Sequence, residues 1–308
     1  MRRGGNGMRE VISLQTTIFL LVWIGYVVKK RKIIGSQGQK NLTDLVIYVI
    51  LPCNILKAFM AGQAGEHLKD YLVILGISIA IQIFCTFYGK IVYRKEAIGR
   101  RKCLEYGTIC SNAGFLGNPI AEGVFGAEGL VLASFFLIPQ RIMMWSAGLA
   151  VFTGSTDRKA TAKKVLTHPC IIACVIGLIL MLGKIKLPAG IDGAISALGN
   201  CNTAMSMAVI GMILAEIDWK QFWDPSVLRY AVHRLLVIPA CVFAACYCLG
   251  VSRDVLGVSV LLTAMPAGAT TSILAEKYGM ESEFATKMVV VSTCISLLTI
   301  CFWSTILK

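Results

Sequence analysis

Charged side chains are scarce in this sequence of 308 residues, where Asp, Glu, Lys and Arg make up only 15%. A typical soluble domain has about a quarter. Apolar residues account for 56%, and the mean hydropathy is +0.71. A water-soluble single domain of this length could not bury so much apolar surface, and the same composition excludes a disordered chain and a disulfide-rich secreted scaffold. We therefore expect a protein embedded in a lipid bilayer.

Groups that carry chemistry are also missing. The chain has three His, and it contains no H-E-x-x-H, G-x-S-x-G or phosphate-loop motif. The twelve Cys are scattered without the spacing or the His partners of a metal site. An intramembrane enzyme would need a deep acid, a nucleophile–base pair or a metal cluster, so we predict neither an enzyme nor a bound metal or cofactor. The basic loops lack a domain that could bind nucleic acid, so we expect no such partner.

Long apolar runs are what the chain has instead. A bilayer core of about 30 Å needs about 20 apolar residues per helix, and such runs recur along the whole sequence. They are continuous rather than alternating, which excludes a β-barrel. The predicted spans cover residues 11–28, 42–61, 71–90, 104–125, 130–152, 165–182, 191–215, 225–249, 255–275 and 286–306. We therefore predict an all-α membrane protein with ten transmembrane helices.

The basic residues predict how these spans are oriented. Of the 30 Lys and Arg, 19 lie in or within a few residues of the loops that follow the odd-numbered spans, and such residues favour the cytoplasmic side. Both termini are then extracytoplasmic, and we expect the inner membrane of the cell. The first span lacks a small-residue cleavage site and ends in the basic run 29–32, so we predict a retained helix. Met8 is an alternative natural start, because residues 2–7 resemble no structured element.

Proline and glycine interrupt the fourth and ninth spans. Residues 110–119 read CSNAGFLGNP, and residues 262–271 read LTAMPAGATT. Proline within a helix removes a backbone hydrogen bond and clashes with the carbonyl four residues earlier. Breaks in spans four and nine divide the ten spans into five plus five. Because five is odd, the second half must be inverted relative to the first.

Discontinuous helices at matched positions of two halves are the best sequence indication of a transporter's binding site. Unwound backbone is tolerated at mid-membrane only where protein buries it or water reaches it. The half-helix N-termini at such breaks present free N–H groups and a positive dipole end, which favour an anion. The alternative is a plain proline kink in each span. The matched pair, with Asn and Ser beside it, favours a binding site.

The motif at residues 111–119 resembles the fourth-helix motif of the auxin efflux carrier family, which includes plant carriers and bacterial malate and malonate permeases. Further matches are Leu51-Pro52, Ile210-Gly211-Met212, Met265-Pro266-Ala267 and Val291-Ser292-Thr293. The resemblance implies two inverted five-helix repeats, 1–152 and 165–308, joined by a cytoplasmic hinge at 153–164. Spans 1, 2, 6 and 7 would form a scaffold that makes a homodimer. Spans 3–5 and 8–10 would form a transport domain that moves by an elevator-like step.

The resemblance also implies a substrate site where the two broken spans cross at the membrane midplane. Polar positions in the second and fifth spans would contribute to it. The residues placed in this site are Asn54, Ser111, Asn112, Asn118, Pro119, Gln140, Met265 and Pro266. The short hinge is typical of a compact prokaryotic carrier and not of a regulated plant carrier.

Arg141 is the charged residue that lies deepest in a predicted span. It is the twelfth residue of the fifth span, about 17 Å from either end at about 1.5 Å per residue. A mid-bilayer Arg costs at least about 3 kcal/mol and is a functional candidate by default. It could hold a substrate carboxylate in a bidentate pair, or it could bond to carbonyls exposed at the breaks. We favour a structural role for Arg234 and a snorkelling role for Lys57.

No Asp or Glu lies at mid-depth in any predicted span. This absence disfavours a proton relay carried by carboxylates and favours an anionic substrate, because the deep charge is positive. We therefore predict a secondary transporter of a small organic anion, such as malate, malonate or an auxin-like carboxylate. The alternatives are a sodium-coupled organic-anion symporter of the bile-acid type and a membrane solute sensor. The coupling ion and the direction of transport are left open.

Overall fold

A computed structural model of the chain describes residues 4–61, 68–153, 163, 166–215 and 224–307. Within these ranges the protein is helical and has no strand; a single isolated β-bridge joins two loops. An all-α fold is therefore confirmed for the described residues. The predicted hinge at 153–164 lies, apart from residues 153 and 163, outside them.

The helices follow one another with short connections. In chain order they are α1 (Gly4–Lys30), α2 (Ser36–Ala61), α3 (Leu68–Val92), α4 (Ile98–Ile109), α5 (Ala113–Phe152), α6 (Pro169–Leu182), α7 (Ala189–Leu214), α8 (Pro225–Cys248), α9 (Arg253–Thr263), α10 (Thr270–Lys277) and α11 (Ser282–Leu307). Single π-helical turns widen α2 at Val46–Ile50 and α8 at His233–Val237, and a turn at Cys201 interrupts α7.

Six of the described helices are long and apolar enough to cross a membrane: α2, α3, α5, α7, α8 and α11. Helix α6 is apolar but shorter. The predicted fourth span is divided between α4 and the start of α5, and the predicted ninth span is divided between α9 and α10. The arrangement as ten membrane spans in two inverted repeats stays a prediction.

Helix α5 consists of two arms that meet at Gly126. The backbone there has φ 69° and ψ −159°, a conformation that glycine adopts readily and other residues avoid. A Cβ atom on Gly114 would lie 3.4 Å from Arg141 Nη2 and 3.9 Å from Leu137 Cδ1. The first arm (113–125) is therefore folded back against the second arm (127–152), and residues far apart in sequence face each other.

Helices α1 and α7 make a close, small-residue contact. A Cβ atom on Gly25 would lie 1.9 Å from the backbone oxygen of Ala208, and one on Gly211 would lie 1.9 Å from that of Val22. Backbones can approach this closely only where both helices lack side chains, which is a common way to pack helices in membranes. These two glycines therefore fix the α1–α7 pair.

An ionic cluster gathers three loops at one end of the molecule. Arg100, at the start of α4, donates to Asp224 at 3.2 Å and to Glu281 at 3.0 Å, while Arg229 pairs with Glu96. The hydrogen bond to Glu281 and the nearby Asp224 carboxylate raise the pKa of Arg100 above its usual value. These loops follow the predicted third, seventh and ninth spans, which the positive-inside rule assigns to one side of the membrane. Their meeting at one end agrees with that assignment.

Candidate functional site

Two loops pair through their backbones where α4 and α9 end. The N–H of Asn112 donates to the carbonyl of Pro266 at 2.8 Å, and the N–H of Gly268 donates to the carbonyl of Cys110 at 3.2 Å. Ser111 and Ala267 form the antiparallel bridge between these bonds. We call residues 110–112 and 264–269 the crossing. It joins two segments more than 150 residues apart in the chain.

The two prolines of the interrupted segments have different positions. Pro266 lies in the middle of the second loop, where its missing N–H removes no helical hydrogen bond. Pro119 does not lie in a break, since α5 has already begun at Ala113 and continues through it. A π-helical turn at Ala113–Gly117 precedes Pro119, and such a turn is a common accommodation in a helix. The expectation that Pro119 itself interrupts the helix is wrong.

Arg234 holds both sides of the crossing. This side chain is 3% exposed, and it donates from Nε to the Met265 carbonyl and from Nη1 to the Thr108 carbonyl, each at 3.0 Å. Both carbonyls belong to the C-terminal ends of helical segments, which carry partial negative charge. Arg234 therefore has the carbonyl-binding role that the sequence left open for Arg141.

Gln140 and Ser292 form hydrogen bonds with further polar atoms of the two loops of the crossing. Gln140 Nε2 donates to the Ser111 carbonyl at 2.8 Å and to Ser111 Oγ at 3.2 Å. Ser292 Oγ accepts the N–H of Ala267 at 3.2 Å. An unpaired backbone group would be costly in this buried position. The amide of Gln140, predicted to contact substrate, bonds to Ser111 in this structure.

Arg141, next to Gln140, has a different environment. It is 6% exposed, and its Nη1 atom makes no hydrogen bond within the described structure. Its Nη2 atom lies against Gly114 in the first arm of α5. The guanidinium therefore lies close to the N-terminal end of α5.

Two fully buried asparagines have unsatisfied amide atoms. Asn118 has neither Nδ2 nor Oδ1 bonded within the described residues, and Asn54 has an unbonded Oδ1. A buried amide without partners costs about 1–3 kcal/mol, so such atoms indicate a place where another group can bind. Asn118 lies four residues after Gly114, on the same face of the first arm.

The structure adds two residues that the site prediction did not include. Glu122 Oε2 accepts the Asn54 Nδ2 hydrogen at 2.9 Å, and Lys57 Nζ lies 3.8 Å from Glu122 Oε1. Lys57 also donates to Asn200 Oδ1 on α7 at 2.7 Å, so it does more than reach the membrane surface. Glu122 lies inside the fourth predicted span but near its end. Its spacing of four residues from Asn118 is the sequence feature that relates it to the site.

The predicted site residues thus fall into two connected groups. Ser111, Gln140, Met265, Pro266 and the backbone of Asn112 form the crossing. The second group lies along the first arm of α5 and includes Asn118. Arg141 lies at one end of it, and Glu122, which accepts a hydrogen bond from Asn54, lies at the other. The N-termini of α5 and α10 also begin at the crossing, and helix N-termini favour anions. The second group contains the unbonded side-chain atoms of Arg141, Asn118 and Asn54.

Comparisons with known proteins show that the chain is similar to membrane transport proteins. A family model described as membrane transport protein matches residues 11–163 and 158–304. An uncharacterized transporter of Methanocaldococcus jannaschii is 26% identical over 303 residues, covering 94% of this chain and 96% of its own.

Two further relatives have names that mention a substrate. A Rhizobium meliloti protein named "Putative malonate transporter" is 19% identical and covers 95% of this chain and 94% of its own. Auxin efflux carrier component 2 of Arabidopsis thaliana is 24% identical over 140 residues, which are 44% of this chain and 22% of its own.

Proposed function

The chain belongs to the membrane transport protein family that includes the auxin efflux carriers, and on that premise we propose that it is a secondary carrier of a small organic anion. Family membership makes it a membrane transporter and not an enzyme. The observation that carries the choice of an anion is Arg141, whose buried guanidinium has an unbonded Nη1.

The physical reason is the cost of an uncompensated buried charge. A buried cation that lacks a partner is strongly destabilising, while a carboxylate forms two charge-assisted hydrogen bonds with a guanidinium. Arg141 lies near the N-terminal end of α5, where the helix dipole adds positive potential. A bound carboxylate would compensate both the charge of Arg141 and the positive end of the helix dipole. Asn118 would orient it through its unbonded amide.

The names of the relatives support a carboxylate substrate. One is named for malonate, a dicarboxylate, and another for auxin, whose principal form also carries a carboxylate. We propose a carboxylate of the malonate or malate type, because Arg141 and Asn118 present unbonded donors along α5.

We further propose the architecture that the resemblance implies. Two inverted five-helix repeats, 1–152 and 165–308, would cross at spans four and nine near the midplane. The scaffold of spans 1, 2, 6 and 7 would form a homodimer, and the remaining spans would carry the substrate by an elevator-like step. We place the protein in the inner membrane with both termini outside, because most Lys and Arg lie in or near the loops that follow the odd-numbered spans. The ionic cluster at Arg100, which joins three of these loops, is compatible with that orientation.

Uptake of labelled malonate, malate and indole-3-acetate into proteoliposomes tests the function. We expect flux of at least one of these anions, lost in Arg141→Gln and reduced in Asn112→Ala, with both variants folded. Arg253→Gln, an exposed position at the start of α9, is the matched control. Absence of flux across a broad acid panel, with and without sodium or proton gradients, would reject the proposal.

The orientation has its own test. A single cysteine introduced between residues 153 and 164 of a cysteine-free protein should be labelled by an impermeant reagent only from the cytoplasmic side. Labelling from the outside alone would invert the proposed topology.

A further inference from the structure

Glu122 is a carboxylate in a region that otherwise presents hydrogen-bond donors. One of its oxygens accepts from Asn54, a fully buried residue of α2, and the other faces the ammonium group of Lys57 at 3.8 Å. The pair with Lys57 is partly exposed and long, so by itself it contributes little. The contact with Asn54 is different, because a buried Nδ2 donor without an acceptor would be costly.

The position of Glu122 relates it to the proposed anion site. Gly114, Asn118 and Glu122 are spaced four residues apart on the first arm of α5, and such residues share one helical face at about 6 Å per step. Arg141 lies against Gly114, Glu122 contacts Asn54, and Asn118 with its unbonded amide lies between them. Along this face a cation of the second arm, an amide and a carboxylate therefore follow one another.

We propose that Glu122 is a placeholder carboxylate, which occupies the donors of Asn54 and Lys57 until a substrate carboxylate displaces it. This inference rests on the proposed function and deepens it. Without substrate, Glu122 gives the buried Asn54 amide an acceptor and partly neutralises Lys57. With a dicarboxylate bound, Arg141 and Asn118 hold one carboxylate, the donors of Asn54 and Lys57 bind the other, and Glu122 turns away from Asn54.

The displacement has a consequence for transport. A carrier must bind its substrate well enough to load it and weakly enough to release it on the other side. An internal carboxylate that competes for the same donors lowers the affinity and offers a ready acceptor when the substrate leaves. Glu122 therefore lowers the affinity of the protein for its substrate, because its side-chain carboxylate competes with the carboxylate of the ligand.

Equilibrium binding of malonate and acetate to purified protein, measured by calorimetry, tests this role. In Glu122→Gln the competing charge is removed, and in Glu122→Asp the charge is kept but the shorter side chain no longer reaches Asn54. We expect both variants to bind malonate about threefold or more tightly than the unmodified protein. Glu128→Gln is the matched control. Glu128 lies in the second arm of α5 and accepts a hydrogen bond from Tyr71, so the Glu128→Gln protein should bind malonate with unchanged affinity.

The Asp variant separates displacement from simple electrostatics. If Glu122→Gln binds more tightly while Glu122→Asp binds like the unmodified protein, only the charge matters and the placeholder role is rejected. Weaker or unchanged binding in both variants also rejects it. Each variant is first shown to be folded by its elution volume and unfolding temperature, and the two substitutions provide independent tests.

The proposed function fails in a distinguishable way. If malonate, acetate, malate, indole-3-acetate and the other acids of the uptake panel all fail to bind to the unmodified protein and to every variant, the anion carrier is rejected, and the placeholder role with it. If malonate binds and Arg141→Gln abolishes its binding, the anion site stands, and the Glu122 variants alone then decide the present inference.

Discussion

Two buried arginines lie near the crossing, and their environments are opposite. Arg234 is bonded to the carbonyls of Thr108 and Met265, at the C-terminal ends of two helical segments. Arg141 lies against Gly114 near the N-terminal end of α5, with Nη1 unbonded in the described structure. Helix C-termini attract a cation and N-termini repel it. The comparison teaches that burial alone does not assign a function to a membrane arginine, because the partial charges beside it decide whether it is already satisfied.

The largest expected effect follows from removing the satisfied arginine. Arg234→Met leaves the carbonyls of Thr108 and Met265 without their donor, and we expect a loss of about 3 kcal/mol in unfolding free energy. Unfolding in mixed micelles measures it. Arg234→Lys can donate to one of the two carbonyls but not to both. Its unfolding free energy should therefore lie between those of Arg234→Met and the unmodified protein. A fully stable Arg234→Met protein would mean that Arg234 does not hold the crossing.

The second prediction concerns the unsatisfied arginine. Arg141→Gln removes a cation that has few protein partners to lose, so we expect unfolding free energy to stay within about 1 kcal/mol of the unmodified protein or to rise. Malonate binding should weaken at least tenfold. The same two measurements on Arg234→Met should give the reverse order of effects. A large stability loss in Arg141→Gln with normal binding would remove the distinction between the two arginines.

A smaller effect is expected at Gln140, the neighbour of Arg141. Gln140→Leu keeps the side-chain volume but removes the donor to Ser111, which costs about 1 kcal/mol. Thermal unfolding measures the loss. Because the contact of Gln140 is with the loop, malonate affinity should fall less than in Arg141→Gln. An equal loss of binding would place Gln140 in contact with substrate, as the resemblance implied.

The smallest effect is expected on the other loop of the crossing. Ser292→Ala removes the acceptor of the Ala267 N–H, and polar contacts between membrane helices average about 0.6 kcal/mol. Ser296→Ala is the matched control, because the Ser296 hydroxyl donates to Thr293 of its own helix. The difference in unfolding free energy between Ser292→Ala and Ser296→Ala isolates the contribution of the crossing. Equal stability of the two variants would show that the Ala267 N–H finds another acceptor.

Part of the candidate site could be predicted from the sequence. The interrupted segments, the depth of Arg141 and the amides of Asn54 and Asn118 follow from composition, spacing and the family motif. The sequence pattern places Pro119 in a break because proline disrupts helices, whereas the helix ends earlier, at Ile109, and a π-helical turn precedes the proline. Depth along a span does not indicate Glu122, because Glu122 lies near the end of a predicted span.

The sequence by itself determined that this protein is helical, apolar and membrane-embedded, and where two of its segments are interrupted, because these properties depend on composition and on local backbone preferences. Only the tertiary structure decided which buried charge is satisfied. Arg234 binds a carbonyl 126 residues away along the chain, and Asn54 meets a carboxylate 68 residues away. Partners at such separations are set by how the helices pack, and the same packing leaves Nη1 of Arg141 without a hydrogen bond among the described residues.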